Sequence, residues 1–215
     1  MKIVKEILYE NNMHFTEHDK DPIKSMGIGR KTTISKWLSD IQISDYRLTK
    51  KFEINVYNSV FIDSRKLDEL PEYIKFNHIM GGFHINKNSL RSLRGCPYSV
   101  SGSFMASNNF LTSLEHSPII VKESYGVSYN DIESLEGLAE IIGRGIYLNN
   151  NKLKNLKYLP HLVHGDLNIS KNPIETLEYF PKEVEGNLQF TPSEILTKEN
   201  ISSVCKVWGH LIEIL

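Results

Sequence analysis

Cysteine is nearly absent: Cys96 and Cys205 are the only two in 215 residues. Two thiols cannot staple a chain of this length, so a disulfide framework is excluded and both read as reduced, buried side chains. Long apolar runs are missing as well. None approaches the roughly 20 residues of a membrane-spanning helix. The opening stretch Met1-Lys-Ile-Val-Lys-Glu-Ile-Leu8 mixes charge with apolar residues, unlike a secretory signal. Together these absences point to a cytoplasmic protein with no membrane partner. An excess of charge is lacking too. Residues 1–50 hold 9 Lys/Arg against 7 Asp/Glu, or +2, and the remainder holds 16 against 19, or −3, for a net −1. Neither part is a basic patch able to neutralise phosphates, which argues against nucleic acid as a partner.

What the chain does have is a repeat. Asn88, Asn109, Asn130, Asn151 and Asn172 are each 21 residues apart, and Leu93, Leu114, Leu135, Leu156 and Leu177 keep the same step. Pro97, Pro118, Pro160 and Pro181 follow it, with Ala139 in the missing slot. Such a period implies stacked units, each burying its apolar side against the next. Within a unit, the pairs Phe83/Ile85, Phe104/Ala106, Tyr125/Val127, Ile146/Leu148, Leu167/Ile169 and Leu188/Phe190 alternate as a short strand with its apolar face inward. The Pro-containing return, lacking an N–H at that point, is expected to carry no extended ladder. An imperfect first unit sets Val60 and Ile62 against Phe83 and Ile85 at 23 residues. Val207-Trp-Gly209-His-Leu211 echoes Val184-Glu-Gly186-Asn-Leu188, again at 23, as a last strand.

The flanks read as caps. Residues 1–57 predict a short helix over 2–10, a polar connection, and a second helix N-capped by Thr33 with Ile34, Trp37, Leu38 and Ile41 on one face. A hairpin follows, through Thr49-Lys50-Lys51. Residues 58–191 form the repeats. Residues 192–215 form a C-terminal cap of a short helix over Ser193–Val204 and the last strand. Trp37 and Trp208 are expected to pack the two caps against the stack.

Leu167-x-Ile169-x-x-Asn172-x-Ile174-x-x-Leu177 and Ile146-x-Leu148-x-x-Asn151-x-Leu153-x-x-Leu156 match the leucine-rich-repeat pattern LxLxxNxLxxL. With its 21-residue unit the chain resembles the short bacterial class of that family. The Leu-x-x-Cys/Ser-Pro…Val-x-Gly-x-Phe…Asn variant, with Met26-Gly-Ile-Gly29 and Lys36-Trp37-Leu38 in the cap, is similar to small leucine-rich proteins of tailed bacteriophages. The resemblance implies an α/β solenoid, a curved stack with short parallel strands on its concave face. It implies that Asn88, Asn109, Asn130, Asn151 and Asn172 form a ladder, each amide serving backbone groups of the adjacent coil.

It also implies a non-catalytic interaction protein that binds a protein partner through the strand face. If phage-encoded, the partner is a host protein in the host cytoplasm. The alternative is a structural or assembly component of a phage particle. The outward residues of that face are therefore the candidate site: His84, Met105, Tyr147, Asn168 and Gln189 in a middle column interrupted by Gly126. Asn86, Ser107, Ser128, Asn149 and Ser170 form a uniformly small, polar neighbouring column that ends at Thr191, with Tyr129 beside it. Aromatic and Met side chains are enriched in contact patches, which favours His84, Met105, Tyr129 and Tyr147.

Catalytic readings are weaker, and no cofactor or metal is expected. His14-Phe-Thr-Glu17-His18 has the H-x-x-E-H form of a zinc peptidase, but it runs into Asp-Lys-Asp-Pro22 and reads as a loop. Gly27-Ile-Gly29-Arg30-Lys31-Thr32-Thr33 has Arg where a phosphate loop needs Gly, and reads as a glycine turn. Cys205 with His210 could pair as nucleophile and base, but lone cysteines are usually buried small apolar residues.

Overall fold

The computed structural model describes residues 22–215; the expected helix over 2–10 and the His14–His18 segment lie outside them. A boundary at Gln42/Ile43 divides the chain into two compact units. Helix α1 (Pro22–Asp40) starts eleven residues before the expected cap. Proline suits the first helical turn, where its missing N–H has no partner in any case. Thr33 is therefore interior: its hydroxyl donates to the Gly29 carbonyl at 3.1 Å, and Thr32 does the same to Ile28 at 2.9 Å. This back-bonding satisfies both hydroxyls inside a helix. Gly27–Thr33 is thus helical, neither a glycine turn nor a phosphate loop. Gln42, at φ 66°, ends the element.

The second unit is a stack of coils. Strands β1 (Tyr46–Leu48) and β2 (Ile54–Val56) form the expected hairpin, and β2 continues in parallel to β4 (Phe76–Ile79). From there each coil contributes two short strands, one to each wall. The first wall holds β3 (Val60–Phe61), β5 (Phe83–His84), β7 (Phe104–Met105), β9 (Tyr125–Gly126), β11 (Ile146–Tyr147), β13 (Leu167–Asn168), β15 (Leu188–Phe190) and β17 (Leu211–Glu213). These make one eight-stranded sheet in which every neighbour is parallel. Its register sets Val60 against Phe83 and Leu188 against Leu211, so the two 23-residue units join the ladder in the alignment expected from sequence.

The second wall departs from expectation. Strands β6 (Ser99–Val100), β8 (Ile120–Val121) and β10 (Ile141–Ile142) continue the sheet begun by β1, β2 and β4, making six strands. Strands β12 (Leu162–Val163), β14 (Glu183–Val184) and β16 (Lys206–Val207) form a separate three-stranded sheet. The Pro-containing returns thus do carry a ladder. Pro97, Pro118, Pro160 and Pro181 each stand two residues before a strand, so the absent N–H falls outside the bonded positions. Ser101, Lys122 and Gly143 donate backbone N–H to Ile79, Val100 and Val121 at 2.8–3.0 Å. Where strands are paired, each wall advances by about 4.8 Å per coil; the first wall is paired throughout, and the second is interrupted between β10 and β12. Between Val60 and Phe190 the coils hold no helix, so the fold of this stretch is a β-solenoid.

Between the walls lies the core. Phe83, Phe104, Tyr125, Ile146, Leu167 and Leu188 are fully or almost fully buried, one per coil. Phe76, Phe83, Phe104 and Tyr125 run as an aromatic file with successive centroids 5.1, 6.0 and 5.4 Å apart. A buried phenol needs a partner. Ser117, in the slot that Cys96 fills one coil earlier, lies 2.7 Å from the Tyr125 hydroxyl. Short helix α2 (Lys198–Val204), capped by the Thr197 hydroxyl accepting from the Asn200 N–H at 3.1 Å, precedes β16.

Candidate functional site

The turn after the first wall explains why the Asn column points inward. Lys87, Asn108, Tyr129, Asn150 and Lys171, each just before a periodic Asn, share a left-handed φ of 55–58°. That kink aims the next side chain into the stack. The Asn151 amide donates to Val127 O at 3.0 Å in the previous coil and to Leu148 O at 2.9 Å in its own. Its oxygen accepts from Ile132 N at 3.1 Å. Asn109, Asn130 and Asn172 repeat this pattern, each donating 24 residues back and accepting from 19 residues back. Asn88 bridges the irregular first coil, donating to Ile62 O and accepting from Arg65 and Leu67 N.

On the outer face, the small polar column is also bonded from coil to coil. Asp63 Oδ1 accepts from the backbone and side-chain N–H groups of Asn86 at 2.5 and 2.9 Å. Asn86 Oδ1 accepts from Ser107 N at 2.9 Å, Ser107 Oγ from Ser128 N at 3.1 Å, and Asn149 Oδ1 from the Ser128 hydroxyl at 2.6 Å. Further along, the Asn168 amide donates to Gln189 Oε1 at 2.9 Å and its oxygen accepts from the Ser170 hydroxyl at 2.7 Å. Thr191 Oγ1 accepts from Lys171 N at 2.9 Å. Ser128 and Ser170 are buried, and the column forms a second scaffold ladder with its polar atoms largely engaged by one another.

The middle column stands beside it. The register aligns Phe61, His84, Met105, Gly126, Tyr147, Asn168, Gln189 and Ile212 coil by coil. Phe61, 59% exposed, stacks on His84 with ring centroids 4.8 Å apart. Extending the column one coil upstream at the 23-residue step would have found it. Gly126 is buried because Met105 lies across it: a Cβ there would sit 2.6 Å from the Met105 sulfur. Tyr147 lies back over Gly145, whose Cβ would meet the phenol oxygen at 3.0 Å. The glycines thus let Met105 and Tyr147 lie flat on the wall. Tyr129, grouped with the face from sequence, sits instead in the turn beyond Ser128 and is 53% exposed.

The opposite wall carries a feature that sequence reading missed. Ile141 (55% exposed) and Leu162 (37%) stand on β10 and β12, where the six-stranded and three-stranded sheets part. Trp208, expected to pack a cap, is 62% exposed; its indole N–H donates to Glu183, and the Lys206 ammonium lies 3.6 Å from its ring centroid.

Burial raises both thiols, Cys205 to about 11 with Glu183 nearby adding to the shift. A raised pKa keeps the unreactive thiol, so the thiolate fraction stays small until pH approaches that value. Neither cysteine is expected to react with a thiol reagent in the folded protein at about pH 8, and both should react once it is unfolded. A chromogenic disulfide assay in buffer and in denaturant checks this. Among the described residues, no three His, Cys, Asp or Glu side chains are placed to hold a metal ion, and no helix is long and apolar enough to cross a membrane.

The fold and the columns define a repeat protein of the parallel-strand solenoid class, about eight coils long at a spacing near 21 residues. No family model, curated protein or solved structure matches the chain.

Proposed function

We propose that this chain is a non-catalytic protein-binding module of the short leucine-rich-repeat type, and that it engages a partner protein through its eight-stranded wall. One observation carries the reading. Phe61, Met105 and Tyr147, with the His84 ring stacked on Phe61, present a largely apolar row beside a polar column already hydrogen-bonded from coil to coil. Covering such a surface leaves few polar groups without partners, the cost that usually opposes desolvation. Small polar neighbours leave a broad face suited to a protein rather than an enclosed pocket suited to a metabolite. By its resemblance to small phage proteins, the partner is a host protein, in a defence or regulatory system.

Affinity capture from the native host with tagged protein tests this. The wild type is expected to recover a defined partner, and Tyr147→Ala and Met105→Ala to lose most of it while melting within a few degrees of the wild type, as surface substitutions do. Recovery at full strength by both variants would remove the wall from the account.

A further inference from the structure

We infer that the eight-stranded wall also binds a second copy of this chain, so that two solenoids pair face to face and the partner must displace one of them. The inference rests on the same wall as the proposed function but not on the partner's identity.

The first support is the order of the row. A two-fold axis along the strand direction, between β9 and β11, lays the row on itself in reverse. Phe61 then falls opposite Ile212, His84 opposite Gln189, Met105 opposite Asn168, and Tyr147 opposite Gly126. Apolar residues meet at both ends, an imidazole meets an amide between them, and the Tyr147 ring meets the Met105 thioether that lies over Gly126. Sulfur–aromatic contacts of that kind are favourable.

Charge is the second support. The row carries no Asp, Glu, Lys or Arg, and Asp166, two residues before Asn168 in the row, falls opposite Ser103, two residues before Met105, rather than its own copy. No like charges are brought together, the usual device that keeps copies apart.

Area is the third. Eight extended segments about 4.8 Å apart, each five residues long at about 3.3 Å spacing with three side chains facing out, as in Gly82–Asn86, make a face on the order of 600 Å², the lower bound per partner for a stable interface.

Light scattering of the full-length chain during size-exclusion chromatography, over a concentration series, tests the inference. The wild type is expected to approach twice 24.7 kDa at the upper end. Tyr147→Arg sets two guanidinium groups beside the axis and is expected to run at 24.7 kDa, whereas Ile141→Arg on the opposite wall should behave as the wild type. An equimolar mixture of Tyr147→Arg and Met105→Glu chains, each monomeric alone, should recover the doubled mass. That recovery also shows that neither variant is simply misfolded. A wild type that stays at 24.7 kDa throughout, or a Tyr147→Arg chain as dimeric as the wild type, overturns the inference. A monomeric wild type would leave the partner reading standing. Undiminished partner capture by Tyr147→Ala and Met105→Ala would remove that reading and leave the dimer standing.

Discussion

Replacing Phe104 with alanine is expected to destabilise the stack by roughly 3–5 kcal/mol and to lower its melting temperature by about 10 °C. Phe104 is fully buried and sits mid-file, 6.0 Å from Phe83 and 5.4 Å from Tyr125. Its removal costs the transfer energy of the ring and leaves a cavity between two coils. The ladders on both walls hold those coils at fixed spacing, so the cavity cannot close by collapse. Phe104→Leu, which keeps most of the volume, should cost much less. Denaturant unfolding of the three proteins separates the cases. Near-equal stability of Phe104→Ala and the wild type would mean that the aromatic file does not hold the coils together.

Asn151→Ala is expected to cost roughly 1–3 kcal/mol without altering the solvent face. The substitution leaves Val127 O and Leu148 O without the donor, and Ile132 N without the acceptor, that the buried amide supplies. Backbone groups enclosed between coils have little access to water as a substitute. Asn151→Asp should be nearly as harmful, because a carboxylate keeps the acceptor but loses both donors and adds a buried charge. Thermal melts check both. An unchanged melting temperature in Asn151→Ala would show that the amide ladder contributes nothing to holding the coils.

The scaffold was legible because it repeats. The Asn column, the inward pairs and the alignment of the first and last strands all follow from spacing alone, and the 23-residue offsets set Val60 on Phe83 and Leu188 on Leu211. The second wall was hidden because a strand such as Ser99–Val100 buries one residue, where a first-wall segment buries an alternating pair such as Phe104 and Ala106. A proline two positions earlier also suggested a return without a ladder. The start of α1 was hidden by Gly27 and Gly29 in its interior, residues that sequence reading assigns to turns.

The candidate site was only half legible. Small polar residues such as Ser107, Ser128 and Asn149 read the same whether they face a partner or bond to the next coil, and only the coordinates show the bonds. Phe61 escaped because it stands outside the 21-residue columns, at the 23-residue step that sets Val60 on Phe83. Ile141 and Leu162 escaped because their exposure depends on a wall that was not foreseen.

Site-specific photocrosslinking in the native host tests the central claim most directly. A photoreactive phenylalanine analogue is placed at Tyr147 on the eight-stranded wall and, separately, at Ile141 on the opposite wall. The account predicts a discrete adduct with a host protein from position 147 and none from position 141. Adducts from 141 with none from 147 would contradict it.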